Sequence, residues 1–114
     1  MIKGIGVDIM DHRRIKNLDE FANRVLSDDE KKRYSLITNE KTKRCYLGAR
    51  FAAKEALFKA TNKLVDFRLI SVLNDESGAP YVVGPYDDQI FISLSHEEEY
   101  SIAYVICEKN AFNE

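Results

Sequence analysis

Cysteine, histidine and long apolar runs are all scarce in this chain of 114 residues. Cys45 and Cys107 stand far apart with no CxxC spacing, which argues against a zinc site and against a disulfide framework. His12 and His96 show no metal-ligand spacing to each other. No run approaches the roughly 18 consecutive apolar residues of a membrane span, and the N-terminus lacks a charged segment followed by an apolar one. We therefore expect a cytoplasmic protein without a membrane segment.

Internal repeats, low-complexity segments and linkers are also missing from the sequence. The length fits a single domain, residues 1–114, that is large enough to bury a core. The hydrophobic fraction of 45% and the charged fraction of 32% are ordinary for a globular protein.

Charge is present in ordinary amount but is unevenly placed. The net charge is −2, yet residues 41–63 hold seven basic side chains against Glu55 alone, for a net charge of +6, and the rest of the chain sums to −8. A protein that is acidic overall with a basic middle suits an anionic ligand held locally. The same distribution argues against broad wrapping of nucleic acid.

Helical and strand patterns alternate along the first half of the chain. Within residues 2–9, β-branched apolar residues alternate with small or polar ones, and this pattern predicts a strand. Apolar residues at helical spacing predict a helix over 11–26. The Ser-x-x-Glu pattern that begins at Ser27 predicts a second helix through residue 34. A long helix follows over 40–61, with Asn62 as its end signal.

In the second half of the chain, apolar residues recur at every second position, which is the spacing of β-strands. We expect strands over 69–73, 80–83, 89–95 and 100–107, with the first two joined by a turn at 74–78. Together the patterns predict an α+β fold in which a long central helix packs on a mainly antiparallel sheet.

The central helix contains RFAAKEALFKA, the most helix-prone stretch of the chain. At 100° per residue, one side of it is a smooth strip that suits close packing on a sheet, made of Ala49, Ala52, Ala53, Ala56 and Ala60. Glu55 and Lys59 lie one turn apart, so they are able to pair, with Glu55 at the edge of this strip. Exposed ion pairs of this kind usually carry no function, so a functional role for Glu55 and Lys59 has to be judged together with the other motifs.

Asp8 is unusual because acidic residues are depleted in the middle of strands. It requires a partner such as a cation, or it caps the following segment, and local sequence leaves both readings open.

His96 directly follows the predicted strand 89–95 in the sequence SLSH, a position from which a side chain is able to face a cleft. Ser93 and Ser95 point the same way by strand alternation, and a serine, histidine and acid combination raises a hydrolase option. No G-x-S-x-G elbow supports that option. A histidine near a turn is more often an ordinary surface residue.

Three motifs stand in order: GIGVDI at the start, RFAAKEALFKA in the middle and SLSHEEEYSIAYVI near the end. In this order and at this spacing the chain resembles the holo-(acyl-carrier-protein) synthases, the small bacterial 4′-phosphopantetheinyl transferases. The likeness runs over nearly the full length, since RVLSDDEKKRY and ESGAPYV also look like segments of that family.

The resemblance implies transfer of the phosphopantetheine arm from coenzyme A to a serine of an acyl carrier protein, as a step of fatty acid biosynthesis. Adenosine 3′,5′-bisphosphate is the expected product. It implies Asp8 and Glu55 as magnesium ligands. The residues expected near the coenzyme's phosphates are Arg50, Lys54, Lys59 and His96. Similar enzymes assemble as trimers with the cleft between neighbouring subunits, so a homotrimer is expected.

The chemistry of these residue types agrees with the resemblance. Magnesium is typically held by one or two carboxylates, with water and phosphate oxygens completing its shell, and Asp8 with Glu55 would supply that share. Lys59 is placed to neutralise a phosphate or the leaving group, and Arg50 is able to grip a phosphate bidentately. The base that removes the serine proton is either Glu55 acting through a metal-bound water or the water itself, made more acidic by magnesium. We favour Glu55, and Glu55 and Lys59 are therefore the predicted catalytic residues.

The partner surface follows from charge, because acyl carrier proteins are strongly acidic. Arg13, Arg14 and Lys16, with Arg24 further along the same predicted helix, offer a complementary basic face. Arg14 matches the carrier-contacting arginine of the family and is the expected centre of this face.

One segment departs from the family pattern. The loop over residues 60–68 contains no glycine, whereas similar enzymes usually carry a glycine in the loop after the central helix. Lys63 or Arg68 would then take over part of the phosphate binding.

The main alternative is a non-catalytic module that binds an acidic protein or RNA through residues 41–63. A pure anion binder gains nothing from carboxylates aimed into its basic pocket, whereas a metal enzyme needs them. Asp8 and Glu55 therefore favour the magnesium-dependent transferase.

Overall fold

Antiparallel strands and three α-helices make up the fold in a computed structural model that describes residues 1–110. The elements are β1 (Ile2–Asp11), α1 (Leu18–Val25), α2 (Asp28–Ser35), α3 (Glu40–Thr61), β2 (Ser71–Asn74), β3 (Pro80–Val83), β4 (Gln89–His96) and β5 (Tyr100–Glu108). The strands β1, β5 and β4 form one sheet in that order, and β2 and β3 form a separate hairpin. All pairings are antiparallel, which confirms the predicted α+β fold.

The helix α3 lies directly against β1 because two glycines remove the side chains between them. An added Cβ at Gly4 would lie 1.8 Å from the carbonyl oxygen of Ala60, and one at Gly6 would lie 2.0 Å from that of Ala56. Ala52 and Ala53 are fully buried on the same face of α3. The backbones of strand and helix therefore approach more closely than any larger residue would allow.

Local caps fix both ends of α3 where the sequence predicts them. The Asn39 side chain accepts a hydrogen bond from the backbone N–H of Thr42, and Asn62 adopts the left-handed conformation with φ of 53°. None of the helices in the described part of the chain combines the length and apolar character that crossing a bilayer requires.

The helix predicted over 11–26 is shorter in the structure. Asp11 accepts a hydrogen bond from the backbone N–H of Arg13 and forms a 3-10 turn, and Asn17 then caps α1 at Leu18. Two side chains that compete for backbone N–H groups thus interrupt a continuous apolar period.

The strand predicted over 69–73 begins two residues later, at Ser71. The Asp66 side chain accepts a hydrogen bond from the backbone N–H of Arg68 and stabilises a 3-10 turn over Phe67–Leu69. The other predicted strands and α2 agree with the structure to within two residues at each end.

Candidate active site

Asp8 and Glu55 lie beside the same contact between β1 and α3. Asp8 is two residues beyond Gly6, so strand alternation gives it the same side of β1 as Gly6. Gly6 lies against the backbone of Ala56, and Glu55 immediately precedes Ala56. Two carboxylates that are 47 positions apart in sequence are thus carried to one strand–helix contact.

Lys59 crosses from α3 to β1 at this point. Its ammonium donates to the carbonyl oxygen of Val7 at 2.9 Å and lies 3.3 Å from Oδ1 of Asp8. The pairing of Lys59 with Glu55 that helical spacing allows does not form. Glu55 has no hydrogen bond or ion pair with any residue in the described range 1–110.

This pair of carboxylates fits a magnesium ion. Asp8 keeps Oδ2 without a protein partner, and both oxygens of Glu55 are unpaired within residues 1–110. Hard oxygen ligands in this number suit Mg²⁺, which usually retains waters and substrate oxygens. No group of three or more metal-binding side chains gathers in the described chain, so the protein supplies at most these two ligands here.

A second feature is a cleft of about 910 Å³ between α3, the β2–β3 hairpin and the end of β4. Its lining includes Arg33, Lys41, Arg50, Asn74, Pro80 and His96. His96, at the end of β4, is exposed on its wall. Glu97 and Glu98 line the same cleft, and Glu98 is paired with the ammonium of Lys41.

Arg50 is held rigidly at the base of this cleft. Its Nε and Nη2 donate to the carbonyl oxygen of Val72 at 3.3 and 3.2 Å, and Nη2 also donates to Oδ1 of Asn74 at 2.9 Å. The guanidinium lies 4.1 Å from the centre of the Tyr46 ring. Arg50 also lines the cleft, so its guanidinium is placed to meet an anion there.

The prediction that Lys54 contacts the coenzyme's phosphates is wrong. Its side chain is completely buried, and its ammonium donates to Oε1 of Glu30 at 2.5 Å and to the carbonyl oxygens of Val25 and Phe67 at 2.7 and 2.9 Å. All three donors are thus used inside the protein. Burial lowers the pKa of the Lys54 ammonium, and the nearby Glu30 carboxylate opposes that shift.

Glu30 is the partner that sequence reasoning missed. The sequence marks Glu30 only as the last residue of the Ser-x-x-Glu pattern that begins at Ser27, and the two residues do form that capping box. Its second oxygen accepts from the backbone N–H of Val72, so one buried carboxylate joins α2, α3 and β2. A signal was present, because Lys54 is seven residues after Leu47 and three before Leu57, both fully buried.

The basic residues expected at the partner surface differ in their surroundings. Arg13 is already engaged: it makes a bidentate ion pair with Asp11 and a further ion pair with Glu99. This pairing holds the pKa of the Asp11 carboxyl below its ordinary value. Arg14 and Lys16 are exposed and have no ion pair within residues 1–110, so their charge is uncompensated.

The guanidinium of Arg24 lies over the Phe21 ring, 5.8 Å from its centre. It has no ion pair in the described chain. The expected replacements in the glycine-free loop are both engaged elsewhere: Lys63 donates to the carbonyl oxygen of Pro85 at 2.5 Å, and Arg68 is paired with Asp66 at 2.8 Å.

The sequence model of the 4′-phosphopantetheinyl transferase superfamily matches residues 4–105 of this chain. A holo-(acyl-carrier-protein) synthase of Acholeplasma laidlawii is 44% identical over 115 residues, covering 95% of this chain and 98% of the relative. One of Anoxybacillus flavithermus is 40% identical over 118 residues, covering 96% of this chain and 98% of the relative.

The fold agrees with these sequence matches. A crystal structure of a holo-(acyl-carrier-protein) synthase from Bacillus anthracis, in complex with CoA (3′,5′-ADP), superposes with a TM-score of 0.91 at 35% identity, covering 96% of this chain and 99% of that one. Sequence and structure together confirm the resemblance inferred from the motifs. The chain belongs to the 4′-phosphopantetheinyl transferase superfamily and, within it, to the holo-(acyl-carrier-protein) synthases.

Proposed function

We propose that this chain transfers the 4′-phosphopantetheine arm of coenzyme A to a serine of an apo-acyl carrier protein, with Asp8, Glu55 and Lys59 at the reacting phosphate. The observation that carries the proposal is the pair of carboxylates beside one strand–helix contact, with a lysine between strand and helix. Family membership supplies the reaction, and holo-acyl carrier protein for fatty acid biosynthesis is its product.

Asp8 and Glu55 are the residues that would hold magnesium. Bound there, Mg²⁺ would offset the negative charge of the pyrophosphate and orient it for in-line attack. The protein's own part is to keep the two carboxylates at the β1–α3 contact and to leave their oxygens accessible, as the free Oδ2 of Asp8 and the unpaired Glu55 support.

The transfer exchanges one phosphorus–oxygen bond for another. The serine hydroxyl of the carrier attacks the β-phosphorus, and Glu55 accepts its proton. The bond from that phosphorus to the bridging oxygen breaks, and adenosine 3′,5′-bisphosphate leaves. The ammonium of Lys59 lies beside Asp8 and offsets charge on the leaving group.

The phosphates at the nucleotide end of coenzyme A are assigned to the cleft of about 910 Å³. The guanidinium of Arg50 and the exposed ring of His96 are its proposed anion contacts. Since Glu55 lines a different recess, the two parts of the site are distinct on one chain.

A homotrimer is proposed for the assembly, with the site completed between neighbouring subunits. Support comes from the face of the β1–β5–β4 sheet that points away from α3. Its exposed apolar side chains are Ile5, Val7, Ile9, Phe91, Ile102 and Tyr104. Val7 lies opposite Tyr104 and Ile9 opposite Ile102 in the strand register, so the residues form one continuous patch. Patches of this kind usually mark an interface.

The carrier surface is proposed to centre on Arg14, and the other basic residues assigned to it are Arg13, Lys16 and Arg24. The uncompensated charge of Arg14 and Lys16 suits an acidic partner.

We further propose one transferase domain over residues 1–114, supported by the family match at 4–105, and a reducing, cytoplasmic location, supported by two free cysteines.

The direct test is to incubate the protein with apo-acyl carrier protein, coenzyme A and Mg²⁺ and to weigh the carrier by mass spectrometry. The carrier should gain one phosphopantetheine, and a chelator or Glu55→Gln should abolish the gain. Glu76→Gln, on the exposed β2–β3 turn, is the matched control and should retain it. No gain with several carriers would overturn the proposal and favour a module that only binds acidic partners.

A further inference from the structure

His12 carries a buried imidazole that the reaction as described does not use. It is the first residue of the 3-10 turn His12–Arg14, and it is 3% exposed. Its Nε2 lies 2.7 Å from the hydroxyl oxygen of Ser101, which is fully buried. Buried polar groups that satisfy one another rigidify the elements they join, so this contact contributes more than packing.

Both ring nitrogens of His12 reach the β4–β5 hairpin. Nδ1 lies 3.2 Å from the carbonyl oxygen of Glu98. A carbonyl oxygen is able only to accept, so Nδ1 carries the proton, and Nε2 of the neutral ring accepts from the Ser101 hydroxyl. The backbone N–H of His12 also donates to the carbonyl oxygen of Glu99 at 2.8 Å. The residue that follows β1 is thus attached to the hairpin through its backbone and through both sides of its ring.

The imidazole has room because α3 carries a glycine where the ring passes. An added Cβ at Gly48 would lie 2.5 Å from Cδ2 of His12 and 3.0 Å from its Nε2. Glycine inside a helix is less favourable than alanine, so the space for the ring comes at the expense of helix stability. The ring is confined between the α3 backbone and the β4–β5 hairpin, which fixes its orientation.

The hairpin that this imidazole holds forms one wall of the cleft of about 910 Å³. The wall contains His96, Glu97 and Glu98. Ser101 lies opposite His96 in the strand register. The backbone N–H of Glu97 donates to the carbonyl oxygen of Tyr100 at 2.8 Å and closes the turn. A displacement of this turn would therefore move His96, the proposed anion contact.

We propose that His12 is a positioning residue for the nucleotide end of coenzyme A. Its Nδ1–H holds the carbonyl of Glu98, and with it the β4–β5 turn, in the conformation that the cleft requires. His12 itself lines a separate recess with Arg13 and Lys16, so it acts through the turn and not by touching the ligand. The inference rests on the proposed function, which assigns the nucleotide to the cleft.

The experiment compares two substitutions of nearly equal size. Asparagine at position 12 places an amide nitrogen where Nδ1 was, whereas leucine places a methyl group there. Each is combined with Ser101→Ala, so that no buried hydroxyl is left unpaired. Adenosine 3′,5′-bisphosphate is titrated calorimetrically into wild type and both double variants. His12→Leu with Ser101→Ala should bind it roughly three- to tenfold more weakly, and His12→Asn with Ser101→Ala should stay within about twofold of wild type.

An independent variant displaces the ring without replacing it. Gly48→Ala favours the helix but pushes the imidazole from its place, and it should weaken binding of the bisphosphate as the leucine variant does. Asn17→Ala is the matched control, because it removes the cap of α1 and lowers stability far from the turn. It should leave the affinity unchanged.

Hydrogen exchange follows the turn without any ligand. The amide of Glu97 should exchange faster in the leucine variant than in the asparagine variant. Equal exchange, or equal affinity of these two variants for the bisphosphate, would overturn the inference. A weaker affinity in Asn17→Ala would also overturn it, because binding would then follow stability alone. The proposed function fails separately: wild-type protein that binds the bisphosphate, with the variants separated as expected, but never loads a carrier would refute transfer while supporting the role of His12.

Discussion

Lys59 and Asp8 form an ion pair between α3 and β1, with Nζ 3.3 Å from Oδ1. The same ammonium donates to the carbonyl oxygen of Val7. The lysine therefore occupies one side of the carboxylate that is proposed to hold a cation, and it leaves Oδ2 open. Positive charge beside a cation site weakens cation binding, while the same charge assists the leaving group during transfer.

Lys59→Met should separate these two effects. Transfer at saturating substrate should fall by roughly a hundredfold or more, because charge on the leaving group is no longer offset. Binding of Mn²⁺ as a magnesium analogue, followed by electron paramagnetic resonance without substrate, should become tighter. Weaker Mn²⁺ binding in Lys59→Met would contradict the arrangement. Lys63→Met, which removes a lysine outside this ion pair, should leave Mn²⁺ binding as it is.

The buried pair of Lys54 with Glu30 should behave as a structural unit. Lys54→Met leaves the Glu30 carboxylate buried without its charged partner, and we expect it to lower the free energy of unfolding by about 3–5 kcal/mol. The double variant Glu30→Gln with Lys54→Met should lose less than the sum of the single losses. Urea denaturation of the four proteins measures this coupling, and strictly additive losses would show that the pair is not coupled.

Arg14→Glu should raise the KM for the carrier protein without changing the affinity for coenzyme A. Its charge is uncompensated, so reversal acts directly on an acidic partner. Arg13→Glu should raise the carrier KM less, because Asp11 and Glu99 already neutralise that guanidinium. Steady-state kinetics at two salt concentrations measures both effects. Equal changes for carrier and coenzyme A in Arg14→Glu would place this residue outside a carrier surface.

Asp66 provides a pH-dependent marker of the loop after α3. Hydrogen bonds from the side chain and backbone N–H of Arg68 lower the pKa of Asp66 to about 2. The carboxyl has a higher pKa in the unfolded chain, about 3.9. Its stabilising contribution is therefore complete above that value and is lost as the pH falls toward 2. Carboxyl NMR titration should show Arg68→Gln raising this pKa and Arg24→Gln leaving it unchanged; an unaltered midpoint in Arg68→Gln would refute the assignment.

The apolar sheet face gives a test of assembly. Val7 is 51% exposed and lies opposite Tyr104, which is 44% exposed. Val7→Lys places a charge in the middle of the patch and should convert the proposed trimer to monomers, because burying an unpaired ammonium is costly. Light scattering after size exclusion measures the mass. Leu36→Lys should keep the wild-type mass, and a wild-type monomer would contradict the trimer itself.

Local chemistry explains what the sequence could predict. Asn39, Asn62 and the Ser27–Glu30 capping box act within a few residues of themselves, so α2 and α3 end where the pattern indicates. The strand pattern around Gly4 and Gly6 was equally local. The error in the predicted helix 11–26 also has a local cause. Asp11 and Asn17 accept hydrogen bonds from nearby backbone N–H groups, and the sequence alone does not show that these bonds outweigh the helical spacing of the apolar residues.

Long-range contacts explain what the sequence could not. Lys59 pairs with Asp8, which is 51 residues away in sequence, and not with Glu55, which is one helical turn away. It does so because α3 lies on β1 at that point. Lys54 looks like one of several basic residues in the segment 41–63, and only the packing of α2 against α3 brings Glu30 to it. The choice between a ligand contact and a buried ion pair was therefore made by tertiary structure.

The absence of side chains at Gly4 and Gly6 has a consequence for the transferase chemistry. The gap from Asp8 to Glu55 is set by main-chain contact, since an added Cβ at Gly6 would meet the Ala56 carbonyl at 2.0 Å. Even a single methyl group there would force α3 outward and carry Glu55 away from Asp8, without touching any reacting group. The reach of these two acids toward the proposed ion would thus be governed by positions that have no functional group at all.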